Sequence, residues 1–160
     1  MSTSGSTDFE PNVAEFVEEA FERCGLELRT GYDLKTARRS INLMLAEWAN
    51  RGLNQWTIEQ ATQTVTEGQN DYTLNANIID ILDCSIRRNT NGTDLDLQMS
   101  RISRSEYLNI PTKSTKSRPS QFFLDKSNTP VLKIWPSPEN STDILVFNKI
   151  VRMFDADKAK

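Results

Sequence analysis

The sequence predicts an α+β fold: an N-terminal antiparallel helical pair or bundle packed with a mainly antiparallel β-domain. Three observations carry that expectation. Apolar residues recur at helical spacing through residues 12–52, and from residue 56 onward the period shortens toward two. Turn-forming residues then recur at intervals suited to short strands. At 160 residues the chain suits one domain, or one with a small appendage, and is long enough to bury a core.

The first helix begins at Asn12, with Glu15 three residues on as the reciprocal half of a capping box. Val13, Phe16, Val17, Ala20, Phe21 and Cys24 form one apolar face, Glu15, Glu18, Glu19 and Glu22 occupy the others, and Gly25 ends the helix. A short connection predicts an antiparallel partner. That second helix carries the stripe Leu34, Ala37, Ile41, Met44, Leu45 and Trp48. Thr30 followed by Asp33 marks its start and Gly52 its stop. Neither helix could persist alone in water, so their apolar faces must meet each other or a neighbour.

Strands are expected at residues 56–66, 71–74, 81–88, 94–99, 121–125, 131–135 and 143–154. The clearest hairpin joins 81–88 to 94–99, with Leu82, Cys84 and Ile86 on one strand facing Leu95, Leu97 and Met99 on the other. Between them Asn91-Gly92 suits the positive φ angles of a tight hairpin turn. Ser103 caps a short helix near 103–110, with Glu106 at the capping-box position and Pro111 behind it. The expected organisation is a disordered leader at 1–11, a helical part at 12–55, a β-rich part at 56–154 and a tail at 155–160.

Composition narrows the function. The chain is 37 % hydrophobic and 26 % charged, as in a globular protein, and holds no apolar run long enough for a transmembrane helix. Residues 1–7 lack the basic residues and apolar run of a signal peptide. Cys24 and Cys84 both sit in apolar periodic contexts and are expected as buried free thiols. A net charge of −3 argues against a dedicated nucleic-acid binder, but does not exclude a surface that DNA slides past.

The chain has no histidine, which removes His-based triads, imidazole zinc sites and the commonest general base. Six glycines at separate turns make neither a phosphate-binding loop nor a dinucleotide fingerprint. No cofactor is expected. The acidic stretches 80–83 and 94–96 could supply an acid pair for hydrolysis only if two carboxylates converged in a concave pocket. The plainer reading makes them the solvated face of a half-buried hairpin. The loop 112–119 carries Lys113, Lys116 and Arg118, which read either as contacts to phosphate or an acidic partner or as a solvated loop. Arg38 and Arg39 form an exposed basic face or pair with the Glu-rich first helix. Trp48, Trp56 and Trp135 read as core or interface anchors. If Trp48 is fully buried, Trp48→Ala should cost ~3–5 kcal/mol.

Several stretches, in one order, resemble a known group. They are Ala20-Phe21-Glu22-Arg23-Cys24-Gly25, Gly31-Tyr32-Asp33-Leu34, Ala37-Arg38-Arg39-Ser40, Asn42-Leu43 and Glu47-Trp48-Ala49-Asn50-Arg51-Gly52-Leu53-Asn54 followed by Trp56. Ile81-Leu82-Asp83, Arg101-Ile102-Ser103-Arg104-Ser105-Glu106-Tyr107, Arg118-Pro119 and Trp135-Pro136 continue the series. Together they resemble the head-to-tail connector (adaptor) proteins of short-tailed bacteriophages, akin to tail tubular protein A. The resemblance implies a structural virion protein without enzymatic activity. It further implies a ring, usually of twelve copies, beneath the portal, with a tail nozzle below and double-stranded DNA passing through the channel. Members pack a helical bundle against the portal and turn a β-rich part toward the tail. A further helical segment is also implied after the last strand, where this sequence has residues 155–160.

On that reading Arg38, Arg39 and Trp48, with Arg152, Phe154 and Lys158 near the end of the sequence, are candidates for portal and neighbour contacts. Asn89 and Asn91 at the hairpin tip, and Lys113, Lys116 and Arg118, are candidates for tail-facing contacts, because exposed tips on a rigid sheet are where partners bind. The expected partners are further copies of the chain, the portal protein, the tail nozzle protein and transiently DNA, with no membrane. The alternative is a small non-enzymatic regulatory or ligand-binding α+β module, which would stay monomeric.

Overall fold

The computed structural model describes residues 12–27, 31–53, 57–153 and 156. The expected leader, the Thr30 cap, Trp56, Phe154 and Lys158 lie outside these residues. The chain divides into two compact units, Met1–Leu53 with Met153–Lys160 and Asn54–Arg152. Two N-terminal helices precede antiparallel-rich sheets, so the α+β class holds.

The first unit contains α1 (Val13–Arg23) and α2 (Gly31–Asn50). The Asn12–Glu15 capping box forms in both directions: Glu15 N–H donates to Asn12 Oδ1 at 2.9 Å and Asn12 N–H to Glu15 at 3.2 Å. Each helix ends on a glycine in the left-handed region, Gly25 at φ 71° and Gly52 at φ 76°. The following Leu26 and Leu53 N–H groups reach back to Phe21 and Trp48, which satisfies carbonyls the helix would otherwise orphan. Packing is thinner than the apolar stripes promise. Val17 is the buried residue of α1, and α2 has none.

The second unit holds two four-stranded sheets. The first takes β1 (Ile58–Thr64), β8 (Ile144–Val151), β3 (Ile78–Thr90) and β4 (Thr93–Gln98) in that order, every pair antiparallel. In the second the order is β2 (Asp71–Thr73), β7 (Val131–Trp135), β6 (Gln121–Asp125) and β5 (Ser100–Arg101), with β5 parallel to β6. A short α3 (Arg104–Asn109) follows β5 behind a Ser103–Glu106 capping box. Alternate residues of both sheets, among them Ile81, Cys84, Ile86, Leu145 and Phe147 from one and Phe122, Leu124, Leu132 and Ile134 from the other, close a single core. Met99, between β4 and β5, is buried where the chain crosses from one sheet to the other.

Three expectations need correction. Leu82 does not face the core: it is 47 % exposed while Ile81 is fully buried. Register shifts between β3 and β8 fall after Ile78 and after Ile81, and the extra residues Ile79 and Leu82 are turned outward, which a strict alternation could not anticipate. Leu95 and Leu97 stay 51 % and 39 % exposed, because β4 is an edge strand with no buried residue. Cys24 is exposed rather than buried, since the apolar face of α1 on which it lies is only partly covered.

Candidate assembly surfaces

The helical unit supplies the first surface. Leu34, Ala37, Ile41, Leu45 and Trp48 of α2 are each half-buried, and Met44 in the same stripe is exposed. Around them Tyr32 is 76 % and Leu43 65 % exposed, and Phe16 of α1 is also exposed. These open apolar side chains on amphipathic helices make the helical unit a candidate interaction surface. Arg38 is half-buried, and its Nε is sealed from solvent with no hydrogen-bond partner among the described residues. Arg39 is exposed beside it and shares a shallow groove with Lys35, Arg38, Asn42 and Leu43. Asn42 Oδ1 also accepts the Ala156 N–H at 2.8 Å. Phe154 and Lys158 lie outside the described residues. Arg152, in the β-unit, is exposed, and its N–H donates to the Asn77 carbonyl at 2.8 Å.

The hairpin tip supplies the second surface. Asn91, at φ 53°, and Gly92, at φ 80°, make the expected tight turn. Asn89 braces it, its Oδ1 accepting the Gly92 N–H at 3.1 Å and its Nδ2 donating to Asp94 at 2.6 Å. Residues 89–98 are exposed throughout.

The basic loop behaves differently from a free tip. The Lys113 carbonyl accepts from Asn70 Nδ2 and Ser137 Oγ, Trp135 Nε1 donates to the Thr112 carbonyl at 3.1 Å, and Ser117 and Thr115 bond the Ser137 backbone. Lys113 turns its Nζ onto the Ile110 carbonyl at 3.1 Å and over the Tyr107 ring. Lys116 pairs with Glu67 at 2.7 Å. Arg118 is half-buried with Nε and Nη2 sealed, and its charge acts on Asp143. Of the three, Lys116 alone is exposed. The signal for this in the sequence is indirect: an indole N–H in Trp135 that needs an acceptor when it packs.

The acidic stretches do not assemble a catalytic pair. Asp80 accepts from Arg101 at 2.8 Å and Lys126 at 2.9 Å, and Asp83 accepts from Asn148 at 2.7 Å. Asp96 takes a bidentate contact from Arg87, both bonds 2.7 Å. That contact holds the Asp96 carboxyl below its ordinary value. Burial raises Asp80, but its two cationic partners and the Ile81 N–H outweigh it, and the net direction is also down. Asp80 and Asp96 are therefore ionised, partnered carboxylates, unsuited to donate a proton near neutral pH. Among the described residues no three His, Cys, Asp or Glu side chains are placed to hold a metal.

The surfaces that the described residues leave open are apolar side chains of the two helices, the exposed strand β4 and the hairpin tip. A comparison with curated proteins finds no match. Residues 11–157, nearly the whole chain, match the family of the SU10 adaptor protein. The chain belongs to the SU10 adaptor protein family, and is a structural adaptor component of a bacteriophage virion that contacts other phage head or tail proteins.

Proposed function

We propose that this protein forms the head-to-tail connector ring of a short-tailed phage, in the manner of tail tubular protein A. About twelve copies would sit between the portal and the tail nozzle and enclose the channel through which the genome leaves during ejection. The helical part would turn toward the portal and the β-rich part, with its hairpin tip, toward the tail. The observation that carries this reading is the half-covered apolar stripe of α2, around Trp48 and beside Arg38 and Arg39. Membership of an adaptor family supports it.

The mechanism is geometric, without catalysis or cofactor. A repeated heterologous contact closes when its rotation returns on itself. The net negative charge suits the lumen, because repulsion of phosphates keeps DNA from adhering in transit. The lumen-facing surface should carry at least as many carboxylates as basic groups. Copy number in intact particles tests the proposal, by quantitative mass spectrometry or symmetry-resolved electron microscopy. A number equal to that of the portal, in a ring directly beneath it, is expected. Absence from the particle would overturn the reading, and so would a copy number unrelated to the portal's.

A further inference from the structure

Among the described residues the sheet β1-β8-β3-β4 ends in two edges with no further strand paired to them, and their geometry matches. Every residue of β4 is exposed, and in β1 only Ala61 and Gln63 are partly covered. The Met99 N–H donates to the Cys84 carbonyl at 2.9 Å, so the bonded pairs running up the hairpin are Cys84/Met99, Ile86/Leu97 and Arg88/Leu95. The backbone groups of Asp94, Asp96 and Gln98 therefore point away from the sheet. At the other edge Val65 bonds Asp143 and Val151 bonds Thr57. The same alternation then turns Ile58, Gln60, Thr62 and Thr64 outward.

Both sets also carry their side chains on the face opposite the core. Asp96 lies beside Arg87, Thr62 beside Val146, and the core residues Ile86, Leu145 and Phe147 belong to the other set. With four strands, all antiparallel, β1 and β4 run in opposite directions. Copies related by rotation about an axis along the strands would thus bring β4 of one against β1 of the next, antiparallel, with both faces preserved. The side chains are compatible. Asp94 and Asp96 are already held by Asn89 and Arg87, and β1 offers Gln60, Thr62 and Thr64 with no outward carboxylate.

We infer that the β4 edge of one copy pairs with the β1 edge of its neighbour, so that the sheets form one continuous wall around the ring. This rests on the connector-ring reading and specifies its subunit contact. In the register that sets Asp96 opposite Thr62, the exposed Leu97 and Leu95 lie beside the neighbour's Ala61 and Gln63. Four strands at about 4.8 Å advance each copy by about 19 Å, so twelve copies would trace a ring roughly 73 Å across.

The test is covalent capture with a short bis-maleimide in a Cys24→Ser background. The double variant Thr62→Cys with Asp96→Cys should give a ladder rising to the full copy number. A mixture of the two single variants should stop at dimers, and neither single variant alone should give a product. Hydrogen exchange on the unmodified protein supplies a second readout that no variant can spoil. The amides of Gln60, Thr62, Thr64, Asp94, Asp96 and Gln98 should exchange at least 100-fold more slowly in the ring than in the monomer. Rings in which those amides exchange freely and no ladder forms would overturn the edge pairing and leave the connector reading standing. Products from Asp96→Cys alone would show a two-fold contact, and capture of a tail protein in place of a second copy would show a different occupant; either overturns the inference. A chain that is monomeric at every concentration and missing from particles overturns both.

Discussion

The guanidinium of Arg88 grips both oxygens of Asp143, Nε to Oδ1 at 2.9 Å and Nη2 to Oδ2 at 2.7 Å. The Asp143 side chain is 3 % exposed, while Arg88 is half-buried and also reaches Glu139 at 3.0 Å. The pair joins the far end of β3 to the start of β8, fifty-five residues on. Burial alone would raise the Asp143 carboxyl. The hydrogen bonds from Arg88 and Asn140, and the charges of Arg88 and Arg118, outweigh it and hold the group below its ordinary value.

Arg88→Ala should therefore destabilise the β-unit by about 3 kcal/mol, because it strands a buried carboxylate. Urea unfolding at pH 7 measures this as a lower midpoint at unchanged slope.

The same pair sets an acid limit. A carboxylate whose folded pKa is depressed contributes stability that is complete above its unfolded value, about 3.9, and is lost as pH falls through the folded pKa. Asp80 and Asp96 are shifted in the same direction and add to the effect. Unfolding midpoints should stay level from pH 7 to about pH 5 and drop below pH 4. Asp143→Asn should start lower and fall less steeply.

The β3 bulge predicts an inversion of the usual hydrophobic ranking. Ile81→Ala should cost about 2–5 kcal/mol, and Leu82→Ala less than about 1 kcal/mol, although the two are adjacent and nearly equal in size. Paired thermal melts of the two variants decide it.

The thiols should separate in reactivity. Cys24 is exposed, while burial, with the Asp83 charge adding to it, pushes the Cys84 thiol up to about 12. One equivalent of an aromatic disulfide reagent should react quickly with the unassembled chain, and the second only on unfolding. Cys24→Ser should abolish the fast phase.

Trp48 is half-buried, so the ~3–5 kcal/mol expected for a sealed core position does not apply. Trp48→Ala should cost about 1–2 kcal/mol in the free chain and have its larger effect on assembly. Sedimentation of the variant beside the parent protein would show a folded species that no longer forms the larger particle.

What could be read from the sequence was what short range decides. The Asn12–Glu15 and Ser103–Glu106 boxes and the Asn91-Gly92 turn are contained within four residues, and each stands where residue chemistry puts it. The swap of Ile81 for Leu82 was hidden, because a bulge depends on the partner strand β8 more than sixty residues away. The two-residue β5 is too short to show any period. Helical periodicity identified the apolar faces of α1 and α2, but not how far they are covered, and Cys24 turned on that difference. In the basic loop, Asn70, Trp135 and Ser137 decide which side chains stay free, and no local pattern in residues 112–119 encodes those partners.

Beyond Arg87, opposite Ile144, β3 loses β8 as a neighbour and continues to Thr90 against β4 alone. The hairpin is thus a cantilever, clamped at its root and a two-stranded ribbon at its end. Such a ribbon bends and twists far more easily than a four-stranded sheet. A load at Asn91 would therefore bear first on the two-stranded ribbon of residues 88–95. The tip is thus the part of this sheet least tied to the core.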